Sequence, residues 1–217
     1  MQFSGSVGEV EAMLETSRRE RKKQATRQAI HEAALALSER DGFTAVTVEA
    51  ITDRADVSPR TFWSYFSSKE DAVLDRDPGR PEALRQALLA RPAGEGAFTA
   101  LRRVLEADAA ERVVDGEHFM RRMDLVRREP RLMSAVAITF EEIERALVSA
   151  VADRTGRDPE ADVFPGVVVS AACGACRVAY VHWREGQGST SLQSLLDETF
   201  EAIGGGLAAR RAGRAAR

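Results

Sequence analysis

Residues Thr47 to Lys69 read TVEAITDRADVSPRTFWSYFSSK, two short helical patterns with a tight turn between them. Thr47 is a good helix N-cap, Glu49 sets an anion in the first turn, and Val48, Ile51 and Ala55 recur at helical spacing. A helix of about two turns is expected there. Ser58 is again an N-cap type, and Pro59 suits the first helical position, where its missing N–H costs nothing. A second short helix therefore starts at Pro59, and a tight turn falls between Asp53 and Val57.

The facing of that second helix follows from about 100° per residue. With Phe62 as the core anchor and Phe66 as its i+4 partner, Arg60 and Ser64 lie on the opposite side. Thr61 and Trp63 flank them, and Tyr65 sits near the rim. Such a face is poor in the Glu and Lys of ordinary surface helices. Arginine reads guanine edges bidentately, and hydroxyls or an indole N–H can hold phosphates. The pair reads as a helix-turn-helix aimed at the DNA major groove.

Ser68 and Asp71 form an S-x-x-D capping pattern for a third helix. Lys69 then falls in its first turn, where the dipole disfavours a cation unless a docked phosphate shares the site. Lys69 is thus a candidate phosphate contact. The helix starting at Ser68 is expected to lead from the DNA-reading domain into the rest of the chain and to act as the lever between them.

The pattern Ile51, Ala55, Val57-Ser58, Thr61-Phe62, Tyr65-Phe66 and Ser68-Lys69-Glu70 resembles the DNA-binding domain of TetR-type transcriptional regulators. The likeness extends back to Thr26-Arg27, Ile30, Ala33-Ala34, Gly42-Phe43 and Thr47. It covers roughly residues 20 to 74. The resemblance implies an all-α protein with a three-helix DNA-binding domain at residues 17–74 and a helical ligand-binding and dimerisation domain at 75–207. It marks Arg27, Thr47, Ser58, Arg60, Thr61, Trp63, Ser64, Tyr65 and Lys69 as DNA-facing positions. Two departures stand out: Asp56 where the family usually has Gly, and Trp63 where it usually has Tyr or Phe. A phosphate contact by a tyrosine hydroxyl would become one by an indole N–H.

Upstream, SRRERKKQATR (17–27) carries six positive charges against one negative. Arg18, Arg19, Arg21, Lys22 and Lys23 are read as a DNA-binding arm that tracks phosphates or reaches into the minor groove. Residues 1–16 show weak periodicity and are expected to be a flexible extension. The first helix is placed from about Gln24 to Arg40, buried through Ile30, Ala33, Ala34 and Leu37, and closed by Asp41-Gly42 with a left-handed cap.

The chain of 217 residues has a net charge of −3, which argues against a protein that coats nucleic acid unspecifically. The charge is uneven. Ser17 to Lys69 holds ten Lys or Arg against seven Asp or Glu, so the positive side is local. No run of about twenty apolar residues and no signal-peptide pattern is seen, so a soluble cytoplasmic protein with no membrane partner is expected.

After the breakers Asp75 to Pro81, helices are predicted at Leu84–Arg91, Phe98–Val114, Glu117–Glu129, Leu132–Arg154, Glu160–Glu185 and Ser191 to about Leu207, with a basic flexible tail at 208–217. No segment alternates with period two, so no strands are assigned. Val163 to Trp183 is apolar or small around nearly its whole circumference and needs cover on all sides. In TetR-like proteins the last two long helices pair with their symmetry mates as a four-helix interface, which implies a homodimer here.

Cys173 and Cys176 form a C-x-x-C spacing, but in mid-helix among Ala and Val rather than at a helix N-terminus. Buried small hydrophobes are the first reading and a redox-responsive regulator the second. The three histidines, His31, His118 and His182, are not at ligand spacing, so neither metal nor cofactor is expected. No nucleophile elbow, P-loop or dinucleotide motif appears, which leaves a helical enzyme the least favoured class. Phe98, Leu101, Phe119, Met120, Met123, Phe140, Cys173 and Tyr180 fall on faces that could line an effector cavity. Arg121, Arg122, Arg127 and Arg128 are placed to hold an anionic head group. This half also resembles a subgroup of actinobacterial TetR-type regulators thought to bind acyl-CoA-like ligands. The expected partners are therefore a double-stranded DNA operator, a second copy of the chain and a small-molecule effector.

Overall fold

The computed structural model describes residues 6–113 and 116–205. Among them are ten α-helices and no strand. Two compact units form. Of the described residues, the first takes those up to Asp77 together with Arg122–Val136, and the second takes those of Pro78–Arg121 and those from Ala137 onward.

In the first unit, α1 (Ser6–Asp41) is followed by a 3₁₀ turn at Phe43–Ala45, then α2 (Val48–Ala55), α3 (Pro59–Tyr65) and α4 (Lys69–Leu74). The three expected N-caps form: Thr47 Oγ1 accepts from Ala50 N, Ser58 Oγ from Thr61 N and Ser68 Oγ from Asp71 N. Gly42 takes φ +83, a backbone conformation that costs glycine nothing. Ile30, Ala34, Phe43, Ile51 and Phe62 are fully buried and bring α1, α2 and α3 to one small core.

The start of α1 corrects the sequence reading. A flexible extension is expected over 1–16 and an arm over 17–27, yet among the described residues the helix is continuous from Ser6, while residues 1–5 lie outside the described residues. Glu, Ala, Leu, Arg, Lys and Gln are strong helix formers, and no proline occurs between Ser6 and Asp41. Weak apolar periodicity is no sign that a helix is absent.

The domain boundary also differs. α4 stops at Leu74 within the first unit, and Asp75 turns the backbone left-handed at φ 49, so this helix does not lead into the second unit. α7 (Gly116–Arg128) and α8 (Pro130–Thr155) are the helices within which the unit boundary falls. Leu125, Val126 and Leu132 are buried in the same core as Ile30 and Phe62. Met123 is partly buried there too, which removes it from the expected effector pocket. Arg122 is buried and donates from Nη1 to the Leu74 carbonyl at 3.3 Å, at the end of α4.

The second unit holds α5 (Arg80–Leu89), α6 (Ala97–Arg112), α9 (Phe164–Glu185) and α10 (Leu192–Gly204), with the adjoining parts of α7 and α8. α9 packs on α10 and α6, and α5 packs on α6. By length and composition α9 could cross a membrane, yet Pro165, Val169, Ala172, Ala175, Ala179 and Trp183 are buried within the unit. Arg154 fastens the corner after α5, its guanidinium donating to the carbonyls of Leu88, Arg91, Pro92 and Glu95 at 2.8–3.1 Å. The tail expected at 208–217 lies outside the described residues.

Candidate nucleic-acid interface

Short helices are poor at holding themselves, so the reading face of α3 depends on what anchors it. Phe62 is fully buried and Phe66 nearly so, with ring centroids 6.1 Å apart. With these two fixed inward, Arg60 and Ser64 are exposed and Trp63 keeps 54 % of its surface in solvent, while Thr61 and Tyr65 are half-buried. This is the facing the periodicity predicts. Trp63 stands edge-on to Phe62, centroids 5.0 Å apart and planes at 87°, which fixes the indole without covering it.

The hydroxyls are engaged within the protein. Ser58 Oγ meets Thr61 Oγ1 at 2.8 Å, and Ser64 Oγ donates to the Thr61 carbonyl at 2.6 Å. Thr47 Oγ1 serves the α2 cap. Among the described residues Arg60 has no hydrogen-bond or ion-pair partner, which leaves its fork of donors for a ligand.

Two cations expected at DNA are tied inward. Lys69 Nζ donates to the carbonyls of Phe43 at 3.0 Å and Val46 at 2.8 Å, and stands 4.5 Å from the centre of the Phe43 ring. It fastens α4 to the turn before α2. Arg27 donates from Nε to Asp75 Oδ1 at 2.9 Å and from Nη2 to the Arg76 carbonyl at 2.7 Å. It also reaches the Tyr65 carbonyl at 3.4 Å, with its guanidinium 4.4 Å above the Phe66 ring. Arg27 is therefore a clamp across the ends of α3 and α4, and nothing in the sequence spacing could reveal partners 38 to 49 residues away.

Asp56, where glycine is usual in the resembling family, is the left-handed residue that ends α2 at φ 53 and ψ 48. Asp adopts this conformation more readily than most side chains, at some cost relative to glycine. The arm residues Arg18, Arg19, Arg21, Lys22 and Lys23 are all exposed on α1.

Of the residues proposed for an effector cavity, Phe119 and Tyr180 come together as a stacked pair 5.4 Å apart, and Trp183 joins them 5.6 Å from Phe119. The sequence reading missed Trp183, though its i+3 spacing from Tyr180 could have signalled it. Leu101 is fully buried core, and Phe98, Met120 and Cys173 pack against the same core. Phe140 is a correction: it stays 48 % exposed, because the buried residues of α8 stop at Leu132 and resume at Ile143. Periodicity sets the face of a helix but not whether anything covers it. A cleft of about 650 Å³ lies toward the end of α8, lined by Arg145, Val148, Ser149, Asp153, Arg157 and Pro159, and none of the eight predicted residues lines it.

Burial pushes the Cys173 thiol up to about 11 and the Cys176 thiol up to about 12. A redox-active thiol needs the opposite shift. Among the described residues no group of His, Cys, Asp and Glu could hold a metal ion.

Comparison with known proteins agrees with this geometry. Residues 30–74 match the profile described as bacterial regulatory proteins, tetR family, and residues 95–208 match the MftR C-terminal domain. The HTH-type transcriptional regulator TcmR of Streptomyces glaucescens is 34 % identical over 171 residues, covering 76 % of each chain. The putative mycofactocin biosynthesis transcriptional regulator MftR of Mycobacterium tuberculosis is 27 % identical over 90 % of this chain and 98 % of its own. Among solved structures, the fatty acid degradation regulator FadR of Bacillus halodurans aligns with a TM-score of 0.56 at 15 % identity, over 85 % of this chain and 97 % of that one. Thermus thermophilus FadR, solved with lauroyl-CoA, aligns at 0.51 and 20 % identity, over 88 % of this chain and 100 % of its own. With an exposed α3 face on a buried aromatic anchor and matches at both ends of its length, the chain belongs to the TetR family of transcriptional regulators.

Proposed function

We propose that the protein is a cytoplasmic, ligand-responsive repressor that binds a near-palindromic operator as a homodimer and is released by a small apolar or amphipathic effector. The observation that carries the DNA-reading part is the face of α3. Phe62 is fully buried, while Arg60, Trp63 and Ser64 stand in solvent. Arg60 reads a base edge, and Trp63 and Tyr65 contact the walls of the groove. Lys69 spends two N–H groups inside the protein and keeps a third for a backbone phosphate. Thr47, Ser58 and Thr61 act chiefly by fixing the two helix starts.

Dimerisation is supported by α9. Val167, Ala171, Gly174, Val178 and Val181 recur at alternating steps of four and three, the spacing of a helix–helix seam. Val167 is 60 % exposed and Val178 44 %. A second copy seated along this seam with α10 covers them, and half-site centres about 34–36 Å apart or somewhat more suit the two heads. The effector class is supported by the aromatic group Phe119, Tyr180 and Trp183 beside Phe98, Leu101, Met120 and Cys173. It is also supported by the fold shared with a regulator solved with lauroyl-CoA. An acyl-CoA-like ligand is the first to try. Coupling of about 1–3 kcal/mol would give fivefold to 150-fold release.

The test is binding of the full-length protein to the DNA beside its own gene. Arg60→Ala should cost about 1–3 kcal/mol and relax preference at one base position, whereas Lys69→Ala should weaken all sequences alike and also lower the melting temperature. Equal affinity of the parent for promoter and random duplex would overturn the reading.

A further inference from the structure

We infer that the basic turns of α1 form a rigid strut that lays Lys23 and Arg19 on the DNA backbone flanking each half-site, rather than an arm in the minor groove. The inference rests on the DNA-reading role of α3 and adds a second contact region to it.

The run is helical throughout, and Thr26 Oγ1 donates to the Lys22 carbonyl at 3.0 Å within it. An α-helix with its side chains is about 10–12 Å across, whereas the minor groove of B-DNA is about 6 Å wide. A helix cannot enter it. It can run beside the phosphates.

Arg27 fixes where the strut departs. Its reach to the Tyr65 carbonyl and its stacking on Phe66 set that turn of α1 level with the C-terminal end of α3. The turns before Arg27 continue along the axis of α1, and Arg18 lies about 14 Å from Arg27 in that direction. With α3 in the major groove, those turns meet the backbone just outside the bases that α3 reads.

Facing then sorts the charges. At about 100° per residue, Lys23 lies about 40° and Arg19 about 80° from Arg27, so both share the side that holds α3. Lys22 lies about 140° away, Arg21 about 120° the other way and Arg18 about 180°, on the far side. All five are exposed, and Arg19 and Arg21 also have partners within the chain. Lys23 is the principal contact and Arg18 the natural control.

The experiment measures operator affinity of the full-length protein across a series of salt concentrations for Lys23→Gln, Arg19→Gln and Arg18→Gln. Lys23→Gln should lower the slope of log K against log salt by up to about 0.9, one phosphate contact. Arg19→Gln should do the same or less, and Arg18→Gln should leave the slope unchanged. Trimming the duplex to the half-sites should reproduce the Lys23→Gln loss, and changing the base composition of the flanks should not. Equal slopes for Lys23→Gln and Arg18→Gln, or a requirement for A·T-rich flanks, would sink the strut while leaving the role of α3 intact. A parent protein with no preference for any operator would remove both.

Discussion

Replacing Arg27 by alanine separates a clamp from a DNA contact. Its ion pair with Asp75 involves side chains 22 % and 33 % exposed, and such a half-solvated pair contributes about 0.5–1 kcal/mol. The bond to the Arg76 carbonyl at 2.7 Å has a charged donor and adds about 1.5 kcal/mol. The 3.4 Å reach to the Tyr65 carbonyl adds little, and the guanidinium over Phe66 about 0.5 kcal/mol. These groups act as one unit, so the loss should be about 2–3 kcal/mol, or roughly 30- to 150-fold in the unfolding equilibrium. Urea unfolding of the full chain, with hydrogen exchange on the amides of α3 and α4, reads this directly. Arg27→Lys should recover less than half, since an ammonium cannot reproduce the fork. In salt titrations of operator binding the slope should stay at the parental value. An Arg27→Ala protein as stable as the parent, with a slope lower by about 0.9, would show the side chain on a phosphate instead.

Other expectations follow from single features. Asp56→Gly should stabilise the protein by about 0.5–1 kcal/mol in urea unfolding, because φ 53 costs glycine less than aspartate. Arg154→Met removes the donor to four carbonyls and should cost about 2–3 kcal/mol, seen as a lower melting temperature. With their thiols pushed up to about 11 and 12 by burial, Cys173 and Cys176 should resist a thiol reagent at pH 8 until the chain unfolds. Their stabilising contribution is complete below the ordinary thiol value of 9.0 and declines as pH rises beyond it, because the unfolded thiols ionise first. Val178→Glu sets a charge into the α9 seam and should shift the mass in sedimentation from two copies to one.

Roles that depend only on near neighbours in the chain are legible in the sequence. Thr47, Ser58 and Ser68 cap helices because their hydroxyls need only an amide three residues on. Phe62 turns inward and Arg60 outward because helical facing is fixed by spacing. Tertiary structure decided whatever depends on partners distant in the chain. Arg27 and Lys69 carry the charge DNA wants, yet carbonyls and a carboxylate 23 to 49 residues away hold both. Met123, Leu125 and Leu132 have the spacing of any amphipathic helix, and only packing assigned them to the first core. The basic turns of α1 from Arg18 to Lys23 carry no apolar residue, and Arg18, Arg19, Arg21, Lys22 and Lys23 are exposed, so that stretch of helix left no periodic mark to read.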